Sequence, residues 1–182
     1  MKISRYKIII LFFSICLTSC IEDLVDENVG GVFTPSITGS MLYLETTEDL
    51  INSNATNPVF IQSANFDGFN AEVFSGRVLS GSLSYELTNT TSKQLDILLE
   101  LLDNTGAVLD SEIFNLSPNV NIPISRETFY GPPSTNDIDI IKNLSEIRLI
   151  LVNNSDFTSV SNSTEPKFIF KSKGEFKLQL IQ

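Results

Sequence analysis

Residues 81–102 read GSLSYELTNTTSKQLDILLELL, and this stretch decides the fold. In its first half, Leu83, Tyr85 and Leu87 alternate with small or polar side chains. An alternation with a period of two predicts a β-strand that buries one face and exposes the other. A polar turn separates the two halves, so the stretch predicts two consecutive strands rather than one long element.

The second half is rich in leucine and needs more care. Every second residue over 95–101 is apolar and falls on one face of a strand, while Leu98 and Leu102 fall on the other. This pattern predicts a central strand that is partly covered on both sides. A helix is the rival interpretation, but the polar turns at 89–91 and 103–106 leave too little room for one.

The rest of the chain continues in short apolar runs. Asp67-Gly68 predicts a hairpin between 58–65 and 69–75, because glycine readily adopts the positive φ that tight turns need. Val120, Ile122 and Ile124 are in phase and predict a strand over 120–125. Pro123 has no N–H, which predicts that this strand lies at an edge or contains a bulge. Lys173-Gly174 predicts a last hairpin, between 166–172 and 175–181. The best helix candidate is short, at 136–145.

Short strands joined by Asn, Ser and Gly turns are typical of an antiparallel sandwich. We therefore predict an all-β fold over residues 38–182, a single antiparallel β-sandwich with at most one short helix. Residues 85–116 resemble immunoglobulin-like modules of envelope proteins, but these residues include none that is specific to that family. The sequence leaves open an immunoglobulin-like or a jelly-roll sandwich.

The N-terminal 19 residues have the composition of an export signal. Lys2, Arg5 and Lys7 precede an apolar run at 8–17 that contains no charge. That run is much shorter than the roughly 20 apolar residues of a membrane-spanning helix. Residues 1–19 are therefore predicted to be a secretory signal peptide.

Leu17-Thr18-Ser19-Cys20 follows directly and resembles a bacterial lipobox. The resemblance implies that Cys20 carries lipid and that the chain is cut just before it; an ordinary secretory signal with a chance cysteine is the alternative. Glu22 and Asp23 resemble the export signal of surface lipoproteins of the Bacteroidota, although a merely solvated acidic tether would look the same. Residues 20–37 are predicted to be an acidic flexible tether.

Composition excludes several functions. Without residues 1–19, nine basic residues stand against 22 acidic ones, a net charge of −13. Such a chain repels nucleic acids and anionic membrane surfaces. The sequence contains no His, and its two cysteines are Cys16 in the signal and Cys20 at the lipid site. We therefore expect no structural zinc, no thiol catalysis, no disulfide and no cofactor.

Acidic residues offer two weak candidates for a site. Asp137 and Asp139 could supply oxygens to calcium, but helix capping explains them more simply. Glu86, Glu100 and Glu112 fall on predicted strands, and two such carboxylates held close together could hydrolyse a glycoside. Nothing in the sequence places any two of them together.

Two further features are candidates for binding. Tyr130 adjoins Gly131-Pro132-Pro133, and we expect this aromatic to be exposed and available to a ligand. Four lysines cluster near the C terminus, where edge strands often carry lysine to block unwanted pairing; docking to an acidic partner or polysaccharide is the alternative. These are Lys167, Lys171, Lys173 and Lys177.

Together these features predict a non-enzymatic lipoprotein of the cell envelope, anchored at the outer membrane by lipid on Cys20. They leave open whether it is displayed on the cell surface. Its sandwich would act as an interaction or accessory module that contacts an envelope protein or a polysaccharide. The alternative is a surface glycan-binding module that uses Tyr130. A glycoside hydrolase working through two carboxylates ranks third, and we expect no metal and no catalytic residue.

Overall fold

A computed structural model describes residues 34–180, except residues 57 and 70. Within this part of the chain, eight strands and three short helices alternate with loops. The strands are β1 (Ser36–Thr47), β2 (Phe60–Asn65), β3 (Val78–Asn89), β4 (Leu95–Leu102), β5 (Val108–Leu116), β6 (Val120–Tyr130), β7 (Glu146–Asn153) and β8 (Lys167–Leu178). The helices are α1 (Glu48–Ser53), α2 (Glu72–Ser75) and α3 (Asp139–Lys142).

The strands form two antiparallel sheets of four. Sheet A has the order β1-β8-β3-β6, and sheet B has the order β2-β7-β4-β5. The first strand pairs with the last, the second with the seventh, the third with the sixth and the fourth with the fifth. This is one long hairpin rolled up into a sandwich. Of the two sandwiches that the sequence left open, it is the jelly roll.

The core lies between the inner faces of the two sheets. Leu83, Tyr85 and Leu87 on β3 are buried, as their alternation predicted. Phe114 on β5 packs edge-on against Tyr85, with ring centroids 5.9 Å apart. Each fully buried side chain of this size contributes roughly 1.5–3 kcal/mol.

The two predictions about strand position are confirmed. β4 lies inside sheet B, between β7 and β5, and Leu98 on its outer face is half-buried. Pro123 lies on β6, which is an edge strand of sheet A. A proline is tolerated there because the outer side of an edge strand makes no ladder hydrogen bonds.

The hairpin predicted around Asp67-Gly68 is wrong. β2 pairs with β7, and residues 72–75 form a helix. The apolar residues of this segment close one end of the core instead of extending a sheet. The ring centroid of Phe69 lies 4.8 Å from that of Phe74 and 5.1 Å from that of Phe176.

The hairpin predicted around Lys173-Gly174 is also wrong, because β8 runs unbroken from residue 167 to 178. Gly174 serves close packing here rather than a turn. A β-carbon added to it would lie 2.5 Å from the ring of Phe176. Since β8 lies between β1 and β3, its four lysines are not on an edge strand, and edge protection does not explain them.

The described residues contain three short helices, where we expected at most one. Helix α3 falls inside the predicted range 136–145, while α1 and α2 were not predicted. Thr47 caps α1 by accepting a hydrogen bond from the N–H of Leu50. No helix in residues 34–180 combines the length and the apolar character needed to span a membrane.

Candidate functional site

Cys20, Glu22 and Asp23 lie outside the described residues. The lipid anchor and the export signal therefore stay predictions from the sequence.

Tyr130 is not exposed, and the expectation that its ring is available to a ligand is wrong. The residue ends β6 with its side chain turned inward and is fully buried. Its hydroxyl donates a hydrogen bond of 2.8 Å to Oδ2 of Asp110 on β5. Burial raises the pKa of Tyr130, and the neighbouring Tyr85 and Asp110 raise it further. Tyr130 therefore joins the two sheets.

The three glutamates proposed as a catalytic set are not brought together. Glu86 lies on the outer face of sheet A and Glu100 on the outer face of sheet B, while Glu112 faces β6 between the sheets. Each has its own cationic partner: Lys171 for Glu86 at 2.8 Å, Arg148 for Glu100 at 2.6 Å and Arg126 for Glu112 at 2.5 Å. These three residues form no acid–base pair.

Asp137 and Asp139 serve helix α3. The carboxylate of Asp137 accepts a hydrogen bond of 2.9 Å from the N–H of Asp139. Asp139 lies in the first turn and pairs with Lys142 at 3.2 Å. An acid in this position stabilises the positive end of the helix dipole, which is the simpler of the two interpretations given above.

A groove runs over the outer face of sheet A at the end where β6 finishes. We call it the serine groove. Its volume is about 560 Å³, and its floor is the β3 stretch from Ser80 to Ser82. Phe129 forms one wall, and Glu175 and Lys177 on β8 form the other. The side chain of Phe129 is 55% exposed, in contrast to its neighbour Tyr130.

The loop after β6 fixes the position of Phe129. Gly131 has a φ of 75°, a conformation that favours glycine, and turns the chain at the end of the strand. Ser134 Oγ and Asn136 Nδ2 then donate hydrogen bonds of 2.7 and 2.9 Å to the carbonyl oxygen of Phe129. These hydrogen bonds therefore fix the main chain of Phe129, the residue that forms the aromatic wall of the groove.

A second groove of about 610 Å³ continues along the same face. Glu127 marks the boundary, because its carboxylate accepts hydrogen bonds from Ser82 at 2.7 Å and from Ser84 at 3.4 Å. Beyond it, Lys171 and Lys173 line the second groove opposite Ser125. Acidic and basic side chains are mixed along the two grooves.

The outer face of sheet B has a different character. At one level of the sheet, all four strands present a large aliphatic side chain: Ile61, Ile150, Leu98 and Ile113, in that order. We call this line the apolar row. Its two ends are the most open, since Ile61 is 56% and Ile113 is 59% exposed.

Polar residues flank the apolar row on both sides. Glu100 and Arg148 pair with each other at the next level, at 2.6 Å. On the other side, Asp96 accepts hydrogen bonds from Asn115 and Asn154. These groups are already satisfied within the protein, which leaves the aliphatic surface as the feature open to a partner.

At the opposite end of the sandwich from the serine groove, charged groups are buried. The cluster consists of Glu48, Lys93, Asp156, Ser159 and Ser161, and we call it the Glu48–Lys93 cluster. Glu48 and Lys93 are both fully buried. Lys93 Nζ donates to the carbonyl oxygen of Ser159 at 2.8 Å and pairs with Asp156 at 3.3 Å.

The carboxylate of Glu48 accepts hydrogen bonds from the main-chain N–H groups of Ser92 and Ser161, the latter at 2.7 Å. Burial opposes its ionisation, but these hydrogen bonds outweigh burial and lower the pKa of Glu48, with Lys93 adding to the effect. Hydrogen bonds from Ser159 and Thr158 lower the pKa of Asp156 strongly. The buried Lys93 and Glu48 bind Ser159, Asp156 and Ser161, and these contacts hold the loop between β7 and β8 in place.

No protein-family model and no curated protein matches this sequence. Among solved structures, the subviral particle protein VP2 of infectious bursal disease virus aligns over 80% of this chain and 33% of its own, with 11% identity and a TM-score of 0.40. The chain thus spans about a third of that protein. A Bacillus endospore appendage protein gives 8% identity, a TM-score of 0.34 and coverage of 81% and 92%. Similarities this low carry no argument about function.

Phe129 was not predicted as a site residue, although the phase of the alternation in β6 indicates that it faces outward. Val120, Ile122 and Ile124 are in phase, and the predicted strand ends at residue 125. Extending the same phase to the end of β6 turns Tyr130 inward and Phe129 outward. The Glu48–Lys93 cluster had no such signal, because its members lie far apart in the sequence.

Proposed function

We propose that this chain is a non-enzymatic lipoprotein of the cell envelope, anchored at the outer membrane through lipid on Cys20. The signal-like residues 1–19 and the lipobox-like residues 17–20 support the anchor. Two or three acyl chains make a stable attachment, whereas a single chain holds only marginally. The sandwich then acts as an interaction module on an acidic tether.

The apolar row carries the proposal that the partner is a protein. It crosses all four strands of sheet B, and its two ends are more than half exposed. An apolar centre with a polar rim is the usual anatomy of a protein interface. We infer that the partner is an envelope protein that presents a flat aliphatic patch of similar width.

The glutamates weigh against a hydrolase. Glu86, Glu100 and Glu112 lie on three separate surfaces, each paired with a cation. A glycoside hydrolase of the two-carboxylate type needs its acids about 5–10 Å apart across one cleft. The arrangement of these three residues supports a binding protein instead.

Replacing Cys20 by alanine is expected to move the protein out of the membrane fraction, because the thiol that accepts the lipid is gone. Fractionation of cells followed by immunoblotting measures the shift. Cys16→Ala is the matched control, since Cys16 lies in the predicted signal peptide and should leave membrane attachment intact. Unchanged fractionation of the Cys20 variant would refute the anchor.

Placing a charge on the apolar row should release the partner. We expect Ile61→Lys and Ile113→Lys each to abolish co-purification of a near-stoichiometric envelope protein, because a buried unpaired ammonium group is costly at an interface. Mild-detergent extraction of a C-terminally tagged protein and quantitative mass spectrometry measure the loss. Phe129→Ala, on the other sheet, is the control. Equal recovery of the partner with all three variants would contradict the assignment of this surface.

A further inference from the structure

We propose that the serine groove binds an uncharged oligosaccharide. The inference concerns the outer face of sheet A, so it stands independently of the lipid anchor and of the apolar row on sheet B. It assigns to Phe129 the part that the sequence suggested for Tyr130.

The exposed ring of Phe129 is the first observation. A sugar ring has an apolar face of C–H groups and a rim of hydroxyls. Small-ligand sites commonly combine an aromatic surface with a few polar groups that fix orientation. Phe129 lies directly across from Ser82 on the neighbouring strand, so its ring stands beside the hydroxyl floor of the groove.

The polar groups are the second observation. Ser80 supplies a hydroxyl that can donate and accept, whereas the hydroxyl of Ser82 already donates to Glu127 and can only accept. Glu175 only accepts and Lys177 only donates. Glu175 and Lys177 form no ion pair within the described residues. Their hydrogen-bonding capacity is therefore available to the hydroxyls of a ligand.

The balance of charge selects the class of ligand. The serine groove contains one acid and one base, and beyond Glu127 the second groove again mixes the two signs. The serine groove is balanced, the second groove has three bases against two acids, and the whole chain carries a net charge of −10. An acidic polysaccharide would gain little here and would meet long-range repulsion. A neutral, hydroxyl-rich chain matches this mixture of donors and acceptors.

Size and rigidity complete the argument. Volumes of about 560 and 610 Å³ fall within the range of small-ligand sites, and the two grooves lie end to end on one face. The hydrogen bonds from Ser134 and Asn136 hold the main chain at Phe129 before any ligand arrives. A preorganised site loses less entropy on binding.

The test is affinity gel electrophoresis of the full chain in detergent, with gels containing xylan, galactomannan, mixed-linkage β-glucan, starch or polygalacturonate. We expect retardation by at least one of the four neutral polysaccharides and none by polygalacturonate. Phe129→Ala should weaken the retarding interaction about tenfold, the loss expected when one aromatic contact is removed. Phe129→Tyr should keep it, because the ring remains.

Ile61→Lys is the control, since that residue is equally exposed but lies on the other sheet. Retardation by no polysaccharide, retardation by polygalacturonate equal to or stronger than that by the neutral ones, or full binding by Phe129→Ala would each overturn the proposal. Because Phe129 is more than half exposed, its alanine variant should fold, and thermal unfolding verifies this. A negative result here leaves the outcomes of the Cys20 and Ile61 experiments untouched.

Discussion

Replacing Glu48 by alanine is expected to lower the free energy of unfolding by about 3–5 kcal/mol. The substitution leaves the buried N–H groups of Ser92 and Ser161 without their acceptor. It also leaves the fully buried Lys93 with less negative charge around it. Urea denaturation of the chain beginning at Ile21 measures the change.

Glu45→Ala is the matched control. Glu45 forms its ion pair with Lys167 on the surface, and exposed pairs contribute little, so we expect a nearly unchanged free energy of unfolding. Equal losses from Glu48→Ala and Glu45→Ala would show that the Glu48–Lys93 cluster is not a stabilising element.

Acid should narrow the difference in unfolding free energy between wild type and Glu48→Ala. The pKa of Glu48 is lower in the folded chain than in the unfolded one, so its contribution is present above the unfolded pKa of roughly 4.3 and is lost as the pH falls. The difference between the two denaturation curves should therefore decrease as the pH falls below about 4.

Tyr130→Ala is expected to cost about 3–5 kcal/mol of unfolding free energy, as truncation of a fully buried aromatic side chain does. The variant also removes the hydroxyl that donates to Asp110. Tyr130→Phe keeps the ring and loses only this hydrogen bond, and we expect a smaller cost of about 1–2 kcal/mol. Thermal and urea denaturation of both variants measure these values.

Phe129→Ala, one residue earlier, should change stability by no more than about 1 kcal/mol while weakening carbohydrate binding. Variants of these two neighbouring residues thus distinguish an effect on folding from an effect on binding. A Tyr130→Ala variant as stable as wild type would contradict the buried position of this side chain.

Local alternation was enough to predict the class of fold and strands such as β3 and β4. Leu83, Tyr85 and Leu87 are buried because a strand turns every second side chain to the same face, and this depends on neighbours in sequence alone. Which strand pairs with which depends on distant segments. The choice between the two kinds of sandwich therefore needed the structure.

The two wrong hairpins have a common cause. Glycine between apolar runs predicts a turn, yet at Gly174 the missing side chain makes room for Phe176 within one strand. At Asp67-Gly68 the chain does turn, but the apolar residues beyond it pack as aromatic rings against the end of the core. Composition alone does not separate a glycine needed for backbone freedom from one needed for space.

The candidate sites also divide into features that depend on neighbours in sequence and features that depend on distant segments. The phase of β6 could have placed Phe129 outside and Tyr130 inside, so that error came from ending the strand at residue 125. The apolar row and the Glu48–Lys93 cluster assemble residues from three or more separate segments. No spacing in the sequence points to such sites.

The pairing of β1 with β8 fixes the order in which a chain delivered from its N terminus can be completed. Hairpins such as β4–β5 can close early, but β1 has no neighbour in its sheet until residues 167–178 arrive. If residues 1–19 direct export, the chain passes through a narrow channel that only an unfolded polypeptide can traverse. Sheet A stays incomplete during that passage, because β8 is the last of its strands to arrive. The twelve residues of β8 then pair with β1 on one side and with β3 on the other, and this pairing completes sheet A.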